Sequence, residues 1–236
     1  MDEPISIDFT NALTDHRSTP ADRPRAPTEG AASRGLAALA SLTLDDARRV
    51  VLEAAAARAR GTASWRARKI AEARDLLALS QIAPPGRLIV EALDLADELR
   101  ALLALRVPVP CRPGEDGRLG IANLALLGLT YWQEAIRRPM PGFAFLHVLA
   151  PQGVWHPNAA PEHGQPLCLG ALLPAGIPVK EIVLLAYGLL SMQSVMLDER
   201  DAAGVLNADA ARWWQFNLDK IPLSRTPFLG EEGATP

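Results

Sequence analysis

The segment from Val179 to about Met196 is apolar on nearly every side, interrupted mainly by Lys180, Glu181, Gln193 and two serines. At helical periodicity such a stretch has no solvent face, so it predicts a helix enclosed by other elements. Its longest apolar run, Ile182 to Leu190, is far shorter than the roughly 20 residues of a membrane-spanning helix. The chain must therefore supply its own cover. With 236 residues it has enough for one domain of about 150 residues plus an extension.

Upstream, residues 1–35 mix Pro, Thr, Ser, Gly, Asp and Arg without an apolar period, which predicts a disordered tail. Thr43 precedes an acid-rich start, giving a helix to about Arg60, and Ser64 can cap a second helix to about residue 80. Pro84-Pro85-Gly86 ends that helix. Leu88 to Leu103 carries Glu91, Asp94, Asp97 and Glu98 at helical spacing and reads as a third helix. Residues 36–104 thus read as a helical extension that includes the first helix of the domain.

The middle of the chain changes character. Two prolines at alternate positions make Leu105 to Pro110 extended. The turn formers Arg112 to Gly117 separate it from Leu119 to Tyr131, long enough for one or two strands. After the Arg137 to Gly142 break, Phe143 to Leu149 reads as another strand. These predict an α+β fold with an antiparallel meander of about four strands. Residues 150–178 are dense in proline and glycine, and a loop this long inside a domain is usually functional. Asn207 caps a last helix, Ala208 to about Leu218, with Trp213, Trp214 and Phe216; residues 220–236 read as a flexible tail.

Within the long loop stands Trp155-His156-Pro157-Asn158, and nine residues later Leu167-Cys168-Leu169. This pattern resembles the ubiquitin-conjugating enzyme family, which carries a His-Pro-Asn turn shortly before its active cysteine. Three other segments resemble the family in register: Tyr131 through Pro139-Met140-Pro141 to Phe145, Ile177-Pro178 into Val179 to Leu185, and Val205-Leu206-Asn207 into the last helix. The likeness covers about residues 105–217, is strongest after Tyr131, and is to the divergent bacterial members found in ubiquitin-like conjugation operons, a setting linked to antiviral defence. The resemblance implies a thioester on Cys168, accepted from an activating enzyme and passed to an amine on a protein target. It implies that Asn158 serves the oxyanion or orders the loop that does, and that His156 braces the turn. Removing an oxyanion donor typically costs ~10²–10³ in rate. Asp198 and Asp201 are candidate amine-orienting acids, and no cofactor or metal is implied. The family usually has a bulky residue between the cysteine and its central helix; here Gly170 to Gly176 contains none larger than leucine.

Other readings compete. His147, His156, His163 and Cys168 include metal-ligand types, but their spacing matches no standard zinc motif. No histidine follows Cys168, which argues against a papain-like hydrolase. Cys111 reads as a structural thiol, and one of Trp213 and Trp214 must point away from the core, hinting at a docking face. A non-catalytic module that binds a ubiquitin-like protein is the alternative function. The N-terminal helices are a candidate surface for a dimer or a stable complex. A net charge of −3 without a basic stripe argues against nucleic acid, and residues 1–20 lack a signal-peptide pattern, so the cytoplasm is the expected compartment. Lysine is scarce, Lys69, Lys180 and Lys220 against 21 arginines, which fits a codon bias and also limits self-modification.

Overall fold

The computed structural model describes Leu39 and residues 42–136, 144–170, 173–198 and 204–230. The tail expected at 1–35 and the break at 137–142 lie outside these residues. Helix α1, Asp46–Ala56, starts at Asp45, whose carboxylate accepts the Arg48 N–H; α2, Ala63–Ile82, starts at Thr62, whose hydroxyl accepts the Trp65 N–H. Each cap falls within two residues of the expected one, and each satisfies an otherwise open backbone donor.

The main sheet has five strands, β1 (Leu88–Asp94), β2 (Leu99–Leu105), β5 (Ala125–Tyr131), β6 (Leu146–Ala150) and β7 (Pro166–Leu167), in the order β1-β2-β5-β6-β7. Every neighbouring pair is antiparallel. A two-stranded ribbon, β3 (Val109–Cys111) with β4 (Gly120–Ala122), projects between β2 and β5 in the chain. The fold class is therefore α+β, with four α-helices among the described residues. None of them is long and apolar enough to cross a membrane.

The region 88–104 corrects the expected helical extension. It is a β-hairpin, and its strands are the first two of the main sheet. The acids that mimicked a helix face separate into two groups. Glu91 and Asp94 are exposed on β1, while Asp97 and Glu98 lie in the turn before β2. An irregularity between Val90 and Ala92 breaks the two-residue alternation that would have marked a strand. Lys69 of α2 holds the turn: fully buried, its ammonium donates to the carbonyls of Leu95, Ala96 (3.1 Å) and Asp97 (2.8 Å), and to Arg60 (3.1 Å) before α2. The two helices and the hairpin contribute buried residues to the same core as the rest of the sheet.

Helix α3, Val179–Leu190, has its apolar sides buried as expected, but it stops about two turns early. The Ser191 hydroxyl donates back to the Tyr187 carbonyl at 2.7 Å, and Met192 turns into the left-handed region at φ +59°. Pro178 cannot cap α3 with a side chain. Glu72 of α2 does so from across the core, accepting the Val179 N–H at 2.7 Å while paired to Arg68 at 2.7 Å. Burial raises the Glu72 pKa despite these two partners. Helix α4, Ala208–Gln215, begins at the expected Asn207 cap.

Residues 221–230 of the expected tail pack against the domain. Leu223 donates its N–H to the Ser191 carbonyl, and the Tyr187 hydroxyl donates to Thr226. Phe228 packs edge-on against Tyr187 with ring centroids 5.4 Å apart, and buried Arg87 donates to both the Tyr187 hydroxyl and the Gly230 carbonyl.

Candidate active site

The chain leaves β6 and pairs briefly with the ribbon before reaching His156. Cys111 bridges Val154, and the Trp155 N–H donates to the Pro110 carbonyl at 2.7 Å. His156 is fully buried. Its Nδ1 lies 3.0 Å from the Asn158 N–H, which can only donate, so the ring proton resides on Nε2 and is given to the Leu189 carbonyl at 2.9 Å. Burial lowers its pKa to about 4, against the smaller opposing effect of the Leu189 carbonyl. At neutral pH His156 is thus an uncharged brace between the turn and the end of α3. With both nitrogens engaged, it has no lone pair left for a thiol or a metal.

Asn158 is buried and held at both ends of its amide. Its Nδ2 donates to the Gly204 carbonyl, and its Oδ1 accepts the Met196 N–H at 3.3 Å. The Pro157 carbonyl accepts the N–H groups of Leu206 (2.8 Å) and Asn207 (2.9 Å). The turn therefore organises the connection from α3 to α4. Trp214 of α4 reinforces it, donating its indole N–H to the Trp155 carbonyl at 2.8 Å.

Cys168 lies directly after β7. Its backbone N–H donates to the Asn158 carbonyl at 2.8 Å, Ala159 bridges Leu167, and the Ala160 N–H reaches the Pro166 carbonyl at 3.0 Å. The nine intervening residues fold out as a loop whose two ends run antiparallel, so the longer spacing does not separate the turn from the cysteine. Cys168 is partly exposed and in no disulfide. Cys111, also partly exposed, directs its thiol to the Val109 carbonyl.

Gln165 is the site residue that sequence reasoning missed. It adopts φ +42° and is buried, with Nε2 donating to the carbonyls of Val148 (2.9 Å) and Pro151 (2.8 Å) and Oε1 accepting the Val154 N–H (2.7 Å). Left-handed backbone costs a non-glycine residue about 1–2 kcal/mol. Three buried hydrogen bonds offset that and join the end of β6, the approach to His156 and the approach to Cys168. The only sequence hint was a long polar residue beside Gly164 in an otherwise apolar and turn-rich stretch.

Asp198 is exposed, two residues beyond Met196 and hence on the segment tied to Asn158; Asp201 lies outside the described residues. His147 is half-buried and held below the ordinary histidine range by desolvation, and His163 is exposed. Among the described residues no group of His, Cys, Asp and Glu is placed to hold a metal ion. Beyond Cys168 an apolar groove of about 420 Å³ runs between the post-cysteine loop and α3, lined by Leu169, Leu173, Pro174, Ile177, Leu184 and Leu185, with Glu181 at its polar part.

No family model, curated protein or solved structure matches this chain. The arrangement is a partly exposed cysteine, held by its backbone N–H to the His-Pro-Asn turn and followed in the chain by the groove-lining Leu169. No Lys or Arg lies within eight residues before Cys168 or eleven after it in the sequence. A thiol in such a setting is suited to exchange with a partner already activated, more than to attack on an unactivated amide.

Proposed function

We propose that Cys168 accepts the C-terminus of a ubiquitin-like protein as a thioester from an activating enzyme and passes it to an amine of a target protein. The observation that carries this reading is the hydrogen bond from the Cys168 N–H to the Asn158 carbonyl, which joins the cysteine to the His-Pro-Asn turn. The order of elements supports it: α2, then the meander β1-β2-β5-β6, the turn, the cysteine, buried α3 and α4. That is the order in ubiquitin-conjugating domains. The apolar groove beyond Cys168 suits an extended peptide tail.

In the first step the Cys168 thiolate attacks the incoming thioester carbonyl, and the activating enzyme's thiolate departs. In the second, the target amine attacks, a tetrahedral oxyanion forms and collapses, the Cys168 thiolate leaves, and the nitrogen gives up its proton. His156 takes no part in either transfer; it fixes the turn. Asn158 contributes by binding Met196 and Gly204, between which the sequence carries Asp198 and Asp201 as the proposed orienting acids. The cytoplasm, where thiols stay reduced, is the compartment this chemistry calls for.

One observation favours a second reading, a binding module without catalysis. Both ends of the Asn158 amide are engaged by backbone, so its orientation is fixed by structural contacts and at most one Nδ2 proton is left for an oxyanion. A charging assay separates the two. Incubation with a cognate activating enzyme, ATP and the ubiquitin-like protein should give an adduct on a non-reducing gel that thiol reagents remove and Cys168→Ala abolishes. Binding of the ubiquitin-like protein without any adduct, with the activating enzyme itself charged, would establish the module.

A further inference from the structure

An enzyme that carries an activated acyl group is its own nearest target, so the disposition of its amines matters. This inference rests on the thioester reading above. The chain has three lysines, and all three are described. Lys69 is inaccessible: fully buried, it points its protons at the carbonyls of Arg60, Leu95, Ala96 and Asp97. Desolvation lowers its pKa, which would favour the nucleophilic free amine, but no acyl carbonyl can approach an amine with zero exposure. Lys180, in the first turn of α3, is held at 2.8 Å by Asp75 with its side chain only 18% exposed.

Lys220 differs from both. It is exposed in the short 3-10 turn Leu218–Lys220 after α4, where its ammonium lies 4.8 Å from the Trp213 ring centre and is held by the Asn217 side chain. A series of hydrogen bonds links α4, which immediately precedes this turn, to the proposed site. Gln215 of α4 donates to the Leu197 carbonyl at 2.7 Å, and the adjacent Met196 N–H binds Asn158, whose carbonyl holds the Cys168 N–H.

We propose that Lys220 is the modification site at which the protein acylates itself when no target is present, and that Lys69 and Lys180 are withheld by their burial and pairing. The step breaks the Cys168 S–C bond and forms an amide N–C bond on Lys220 Nζ. The sulfur leaves as thiolate and the amine proton passes to solvent. No further reactant is needed once the thioester exists.

The test uses the full chain charged with the ubiquitin-like protein, then held without target and examined by intact mass and peptide mapping after thiol treatment. A thiol-resistant adduct on the Lys220 peptide, lost in K220R, is the expected result. Arginine keeps the cation on Trp213 and Asn217 but is never a nucleophile at this pH, so the variant isolates the amine. In parallel, acetylation of the uncharged chain with a sulfo-N-hydroxysuccinimide acetate reagent should modify Lys220 first, Lys180 more slowly, and Lys69 only after unfolding. An adduct on Lys69, Lys180 or the chain's amino terminus, or one that persists in K220R, overturns the assignment. A thioester that yields no amide also overturns it. Failure to form any thioester removes the functional reading itself, and so separates the two failures.

Discussion

Lys69 and His156 are both fully buried polar groups that lock segments together, and they work by different physics. Lys69 is a cation surrounded by carbonyls of a distant hairpin turn. His156 is a neutral ring between a residue two positions away and the end of α3. The first closes the sheet's starting hairpin against α2; the second sets the turn on which Cys168 rests. A buried charge with several good acceptors tolerates no loss of its partners, whereas a neutral ring with one donor and one acceptor is sensitive chiefly to gaining a proton. The scaffold lock should therefore break by substitution and the site lock by pH.

The largest effect on stability is expected at Lys69. Lys69→Met keeps much of the apolar stem but strands buried carbonyls, and should lower unfolding free energy by about 3 kcal/mol or more in urea. The fraction still folded should charge at a normal rate; a charging defect in that fraction would show that the two locks are coupled.

His156 gives an effect of comparable size through pH. The unfolded imidazole titrates near 6.5, while the buried ring titrates at about 4. Its contribution is full above pH 6.5 and is lost as pH falls toward 4, because only the unfolded chain binds the proton in that window. The shift corresponds to about 3 kcal/mol. Protonation would also set an N–H against the Asn158 N–H and undo the turn. Denaturant titrations at pH 7 and pH 4.5 should differ, and His156→Gln should flatten the part of the difference due to this ring. An unchanged pH slope in that variant would remove His156 from the account.

Asn158→Ala removes the link from the turn to Gly204 and Met196. It should cost about 1–2 kcal/mol of stability, and discharge to an amine should slow more than charging does. Equal slowing of both steps would mean that Asn158 acts on thiol presentation alone. The smallest effect is expected at Glu72. Glu72→Gln keeps an acceptor for the Val179 N–H but loses the ion pair with Arg68, and should shift stability by about 1 kcal/mol at pH 7. The raised pKa adds a direction: the Glu72 contribution is fullest below the ordinary glutamate pKa and falls as pH rises through the folded value. Wild type should thus gain on the Glu72→Gln variant as pH is lowered, opposite in sense to the His156 effect.

The same contrast explains what the sequence disclosed. The Asn207 cap, the apolar nature of α3 and the nearness of the turn to the cysteine follow from residues close together in the chain, and pattern reading found them. The β1–β2 hairpin did not announce itself. Its acids fall at helical intervals, its alternation is broken between Val90 and Ala92, and its turn is fixed by Lys69 some 26 to 28 residues earlier. Gln165 was hidden for the same reason, since its partners are carbonyls and an N–H of other segments. So was the packing of residues 221–230, which depends on Arg87 and Tyr187. Composition registers what a residue prefers, and these positions are decided by what happens to lie opposite.

The most direct test of the central claim is Cys168→Ser in the charging reaction, followed by intact mass. Replacing sulfur by oxygen should convert the thiol-labile adduct into an ester that resists thiol and is cleaved by alkali, located on residue 168. A thiol-labile adduct that survives the substitution, or one mapped to Cys111, would show that the acyl chain is carried elsewhere and that the turn beside Cys168 serves another purpose.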